Sequence, residues 1–471
     1  MIRKNLIQAS CLMFLLSVIS AAQTPHTETA AGRRLTEWLA AYDGPSWDSY
    51  REFLRENFVS PPGRGFQDIA LRDLTGGFDL KKIEEETSTK ATALVAERNS
   101  DGFARLTVEV EAAEPHRILK LEMPRVERPA EFALPHLNED QLIAALRKKL
   151  LERAASDRFA GAVLVARGGK TVFAQAYGLA DRERHIPNTL NTRFSIASMN
   201  KMITAVAIMQ LVQAGKVRLD DRLGKYLTAY PNKELAEKVT IGELLTNTGG
   251  TGDIWGPAFD EHRMELNTLQ DYVNLYGSRA LRFEPGSRWE YSNYGFILLG
   301  LVIEKVSGKS YYDYVREHIY EPSGMASTGP EDQAIAGGSV PYTKMGTPTW
   351  HPVTETPIKG TSAGGGYSTV GDLLKFANAL QGNKLLNADY TKLLTTGKVS
   401  TPFGFDAYGF GVQTFNGNQC VGHNGSGAGV NGDLEICRDA NFTVVALTNI
   451  DPPAAEQVTQ FVLDRLPAAK R

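Results

Sequence analysis

Phe194-Ser195-Ile196-Ala197-Ser198-Met199-Asn200-Lys201 leads into the apolar run Met202 to Ala214. A serine hydroxyl is a weak nucleophile near neutral pH and needs a base held against it. Lys201 follows Ser198 by three residues, one helical turn on and on the same face, so its amine can reach the Ser198 oxygen. At the first turn of a helix, free backbone N–H groups and the dipole favour developing negative charge. Ser-x-x-Lys alone is a common four-residue pattern, and its weight depends on what accompanies it.

Two triplets accompany it. Tyr291-Ser292-Asn293 follows Pro285-Gly286-Ser287-Arg288-Trp289-Glu290 and precedes an apolar helix from Gly295. His423-Asn424-Gly425 lies at the end of an expected strand. Ser-x-x-Lys, Tyr-x-Asn and His-x-Gly in this order resemble the penicillin-recognising serine hydrolases. Within them, the chain is most similar to the class C β-lactamases, serine D-Ala-D-Ala carboxypeptidases and their esterase relatives. Thr240-Ile241-Gly242-Glu243-Leu244-Leu245-Thr246, with its capping box, and Ser362-Ala363-Gly364-Gly365-Gly366-Tyr367-Ser368-Thr369 before Asp372-Leu373 extend the likeness over roughly residues 140–466.

The resemblance implies an α+β, β-lactamase-like transpeptidase fold: an antiparallel sheet flanked by helices, with a helical subdomain. It implies that Ser198 is acylated, that Lys201 and Tyr291 share the proton transfers, and that Asn293 bonds the substrate amide or Lys201. His423 and Gly425 belong to the substrate-binding strand, and the backbone N–H groups of Ser198 and Ser426 form the oxyanion site. Which of Lys201 and Tyr291 is the general base stays open, since a free lysine amine titrates near 10.4 and must be held neutral to serve. The expected function is an exported serine hydrolase acting on a D-amino-acid peptide, amide or ester. The alternatives are a class C-like β-lactamase and a non-catalytic sensor or scaffold.

Two departures bear on that choice. Histidine stands at position 423 where β-lactamases usually carry lysine; it is mostly uncharged at neutral pH and a weaker anchor for a carboxylate. Asn247 occupies a position commonly held by histidine in relatives, with no consequence apparent from sequence. Gly360-Thr361-Ser362-Ala363-Gly364 mimics the nucleophile elbow of α/β-hydrolases, yet lacks a buried strand before it and a helix directly after.

Both ends of this domain are rich in strand signals: Gly161–Arg167 and Thr171–Gly178 at one, Gly409–Phe415, Cys420–Asn424, Gly432–Cys437 and Phe442–Leu447 at the other. One antiparallel sheet built from both ends, with helices between, is the economical arrangement. Cys420 and Cys437 flank a hairpin centred between Ala428 and Gly429, so they face each other across antiparallel strands. A cross-strand disulfide is expected, with two buried free thiols as the alternative.

Residues 27–126 form a separate α+β module. Leu35, Trp38, Leu39 and Tyr42 share one helix face, and Tyr50, Phe53, Leu54 and Phe58 another; strands such as Leu106–Val110 and Ile118–Met123 follow. Helices followed by hairpins resemble the NTF2-like domains. The module carries no catalytic constellation, which leaves packing or partner binding. Proline-punctuated residues 127–139 link it to the hydrolase domain at 140–471.

Residues 1–22 read as a signal peptide: Arg3 and Lys4, an apolar Leu12–Ile19 core, and Ser20-Ala21-Ala22 before Gln23. An uncleaved anchor is the alternative, though the apolar run is short for spanning a bilayer. A periplasmic or secreted protein is expected. The formal net charge of −3 gives no electrostatic case for nucleic acid or an acidic membrane. The eight histidines include no His-Glu-x-x-His or other close ligand spacing, so neither metal nor other cofactor is expected.

Overall fold

The computed structural model of the protein describes residues 28–44, 46–60, 68, 71, 72, 74–330, 337–345, 347, 349–354 and 359–466. The expected signal peptide lies outside them. The chain divides into two units between Ala133 and Leu134.

The first unit begins with α1 (Ala30–Tyr42), where the Thr29 hydroxyl accepts from Gly32 N, and α2 (Trp47–Asn57), where the Ser46 hydroxyl accepts from Ser49 N. Their apolar faces bury Leu35, Trp38, Tyr42, Tyr50 and Leu54. These helices pack with an antiparallel sheet of β1 (Phe78–Glu86), β2 (Lys90–Glu97), β3 (Phe103–Val110) and β4 (Ile118–Glu122), in that order. Arg125–Val126 adds a short strand, β5, to β3.

The second unit is built on an eight-stranded antiparallel sheet. In chain order its strands are β6 (Gly161–Arg167), β7 (Lys170–Tyr177), β8 (Val399–Thr401), β9 (Gly404–Asp406), β10 (Gly411–Phe415), β11 (Asn418–Gly427), β12 (Val430–Cys437) and β13 (Phe442–Thr448). In space the order is β8-β9-β10-β11-β12-β13-β6-β7, so the first strands of the unit complete the sheet beside the last. β6, β12 and β13 are buried on both faces, which explains the largely apolar sequences of β6 and β13, while β12 buries Asn431, Asp433 and Glu435 among its apolar residues. One face carries α3 (Glu139–Ala155) and the closing helix Glu456–Leu463, around Leu142, Leu146, Val444 and Val462. The other carries the larger core and the helical region.

Central to that core is α4 (Asn200–Gln213), buried on nearly every side. It packs with α5 (Asn293–Ser307), capped by the Ser292 hydroxyl and closed by left-handed Gly308. The expected capping box forms at Thr240 and Glu243, starting helix Ile241–Leu245. Cys420 sits opposite Cys437 in register, and a disulfide joins them. Among the described residues, no helix is long and apolar enough to cross a membrane.

One boundary differs from the sequence reading. His423-Asn424-Gly425 is not at a strand end, because β11 runs on to Gly427, paired with Val430. Its glycine-rich tail reads as a loop in isolation, yet the two-residue turn at Ala428 and Gly429 keeps it laddered to β12.

Candidate active site

Ser198 lies in a short 3-10 turn, Ala197–Met199, that runs directly into α4. Ala197, just before it, holds a left-handed backbone with φ of 42°. That posture costs a non-glycine residue energy and persists where surroundings enforce it. Here Gly365 N donates to Ala197 O at 3.1 Å and Ile196 N to Gly366 O at 3.1 Å, fixing the turn against the Gly364-Gly365-Gly366 segment.

Lys201 is fully buried one turn along. Its Nζ stands 3.3 Å from Ser198 Oγ, 2.7 Å from Asn293 Oδ1 and 2.5 Å from Ala363 O. The same nitrogen lies 4.7 Å from the centroid of the Tyr291 ring. Burial lowers the Lys201 pKa to about 7, against an opposing pull from the Asp253 carboxylate. The amine is therefore substantially neutral at and above pH 7.

Burial raises the Tyr291 pKa, a hydrogen bond with Ser198 lowers it, and the charges of Asp253 and Asp406 raise it further. The phenol stays protonated in the resting site. His423, with its ring 6.3 Å from that of Tyr291, has its pKa lowered to about 4 by burial and by Lys201, so it is neutral at pH 7. Its Nδ1 contacts Asn424 O at 2.5 Å.

Gly425 shows why a glycine follows His423 by two. A Cβ there would fall 2.2 Å from Ile196 O and 3.1 Å from Ala197 Cβ. β11 therefore passes directly against the turn that carries Ser198, which sets the Ser426 and Ser198 backbones at one place. Asn431 Nδ2 donates to Gly425 O at 3.1 Å, and Asn424 Nδ2 to Glu456 Oε1 at 2.9 Å, bracing this stretch from behind.

The structure thus brings Ser198, Lys201, Tyr291, Asn293, His423, Gly425 and Ser426 together. Ser362 is elsewhere: it is buried against α5, where a Cβ on Gly300 would meet its Oγ at 2.3 Å. Its neighbour Ala363 contributes only the carbonyl that Lys201 contacts.

Three residues absent from the motifs complete the surroundings. Asp253 accepts from Asn293 N at 2.9 Å and Asn293 Nδ2 at 3.2 Å. Asp406 accepts from Trp289 Nε1 at 2.6 Å and Asn247 Nδ2 at 3.0 Å. Asn247, with φ of 57°, accepts from Ser292 N through its side chain and from Glu290 N through its carbonyl. Asparagine tolerates that left-handed backbone, so Asn247 is a two-point clamp on the segment carrying Tyr291. Nothing in the spacing of Asn247, Asp253 and Asp406 announces these contacts; an unusual Asn where relatives carry histidine was the only signal.

Comparison with known proteins places this site in context. The family profile described as Beta-lactamase matches residues 140–469. Penicillin-binding protein 4* of Bacillus subtilis is 36% identical over 176 residues, covering 36% of this chain and 38% of that protein. A D-aminopeptidase of Brucella anthropi is 26% identical over 306 residues, covering 63% of this chain and 57% of that protein. The crystal structure of a D-stereospecific amidohydrolase from Streptomyces superposes with a TM-score of 0.58 at 28% identity, over 67% of this chain and 97% of that one. The chain spans only about 38% and 57% of these two curated relatives' lengths.

Proposed function

Because the chain belongs to the β-lactamase family, we propose that it is a serine hydrolase working through an acyl-enzyme on Ser198, with amides or peptides of D-amino acids, or related esters, as substrates. The observation that carries this reading is the buried Lys201 amine, 3.3 Å from Ser198 Oγ and with its pKa lowered to about 7.

In this mechanism neutral Lys201 takes the Ser198 proton as the oxygen attacks the substrate carbonyl. The oxyanion sits between the Ser198 and Ser426 N–H groups as the tetrahedral centre forms. Tyr291, protonated at rest, gives its proton to the departing amine or alcohol and then recovers one from the water that attacks the ester. Water supplies the hydroxyl of the acid product, and the proton held by Lys201 returns to Ser198. Lysine as resting base and tyrosine as resting acid follow from the opposite directions in which burial moves a cationic and an anionic acid–base pair.

The D-amino-acid preference is supported by likeness to the D-aminopeptidase and the D-stereospecific amidohydrolase. Neutral His423, where β-lactamases usually carry lysine, weighs against antibiotic hydrolysis, which leans on a fixed cation for the carboxylate. Location outside the cytoplasm is part of the proposal, supported by the Cys420–Cys437 disulfide.

A panel of D-alanyl p-nitroanilide, its L-enantiomer, p-nitrophenyl butyrate and nitrocefin tests the reading. Turnover of the D-amide or ester above nitrocefin, abolished in Ser198→Ala and kept in Ser362→Ala, is expected. Retained turnover in Ser198→Ala would overturn it.

A further inference from the structure

Asp253 lies between helices Ile241–Leu245 and Pro257–His262, outside all three motifs. One of its oxygens accepts from two backbone N–H groups, Ile254 N at 2.8 Å and Asn293 N at 2.9 Å. The other accepts from Asn293 Nδ2 at 3.2 Å. An ionised carboxylate offers no donor. The Asn293 amide must therefore turn its –NH2 toward Asp253 and its oxygen toward Lys201, where Oδ1 stands 2.7 Å from Nζ.

That orientation matters for a base. A neutral lysine keeps two N–H groups and one lone pair. Asn293 Oδ1 and Ala363 O, both acceptors only, take the two N–H groups, leaving the lone pair for the Ser198 hydroxyl at 3.3 Å. Were the Asn293 amide reversed, its –NH2 would point at Lys201 and compete for that lone pair.

We propose that Asp253 is a positioning residue: by fixing the orientation of the Asn293 amide, it keeps the Lys201 lone pair directed at Ser198. The inference rests on the acyl-enzyme reading above and assigns to Asp253 the control of its base. Other titratable groups around this array are Tyr291 and His423 at Lys201, Asp406 acting on Tyr291, and Arg279 and Tyr276 on the Asp253 side.

The test exploits a reversal that ordinary structural roles do not produce. In Asp253→Asn the backbone N–H pair still selects the oxygen, so the new –NH2 faces Asn293, whose amide turns over. Asp253→Ala leaves the amide free to take either orientation. Labelling of Ser198 by a fluorophosphonate is followed from pH 5 to 9, with thermal melts as the folding control. The isosteric Asp253→Asn is expected to label about 100-fold more slowly than wild type on the alkaline plateau, and Asp253→Ala only about tenfold. The acid limb should move to lower pH in both, because a carboxylate favouring charged Lys201 is gone.

The double variant Asp253→Asn/Asn293→Asp restores an acceptor facing each donor, and should label at least about tenfold faster than either single variant at pH 9. Asp253→Asn labelling faster than Asp253→Ala, or a double variant slower than both singles, would overturn the proposal. Should Asp253→Asn fail to fold, the comparison of the double variant with Asn293→Asp decides it by the same criterion. Failure of wild type to label would bring down the acyl-enzyme reading itself; normal wild-type labelling without the expected order removes only the role of Asp253.

Discussion

Lys201 and His423 are both basic groups made neutral by burial, and their different values divide the pH range. With Lys201 near 7 and His423 near 4, activity should rise through one acid limb near pH 7 and show no histidine step between 6 and 8. A pH profile of kcat/KM on a neutral ester measures this, and His423→Asn should leave the limb close to its place. Asn247 is the residue whose replacement reports on Tyr291. Asn247→Ala removes the partner of Ser292 N and one partner of Asp406 and strains a φ of 57°, so a stability loss of about 1–3 kcal/mol is expected. The Tyr291 segment loosens with it, and kcat should fall more than KM rises. At this scale the sequence was legible wherever the residues brought together lie in a short contiguous motif, as with Ser198 and Lys201 or Tyr291 and Asn293. Asp253, Asp406 and Asn247 act through partners 40 to 159 positions away, a relation that exists only once the chain is folded.

At the scale of elements, β11 is the wall on which the proposed oxyanion site depends. Gly425→Ala places a methyl 2.2 Å from Ile196 O, between two backbones that have no room to part. Overpacking of this kind costs about 1–3 kcal/mol, and Ser198 labelling should be lost while the melt stays cooperative. The hairpin that β11 forms with β12 is tied by Cys420–Cys437, a sequence separation of 17. Replacing both by serine should destabilise the protein by about 2–4 kcal/mol, and unreduced, denatured protein should show no titratable thiol from this pair. The cysteine register was readable because antiparallel pairing makes partner numbers sum to a constant. The extent of β11 was not, since Gly425-Ser426-Gly427 has the composition of a turn and owes its extended form to β12 beside it.

Across the whole second unit, three carboxyl groups lie behind the sheet: Asp433, Glu435 and Glu456. Burial raises all three; the Glu456 carboxylate raises Asp433 further, to about 7, and the Asp433 carboxylate raises Glu435 further. An acid whose folded pKa exceeds its unfolded one binds more protons when folded. Its penalty is absent below the unfolded value near 4 and grows as pH rises to the folded value. Stability should therefore decline between pH 4 and 7, by at most about 1.4 kcal/mol per pH unit for one such group. Asp433→Asn, which still accepts from Thr459, should flatten that slope in melts run from pH 4 to 8. The sheet as a whole was legible in outline, because apolar strand patterns cluster at both ends of the unit. The order of its strands needed the structure.

That order has a consequence for how the protein is made. β6 pairs with β7 at once, but its other neighbour, β13, lies some 275 positions later and must first leave the ribosome. Until then a growing chain holds an apolar strand with one open edge and a sheet in two unjoined parts. Fragments stalled or truncated before Phe442 should be inert as well as sticky, so activity awaits the synthesis of β13.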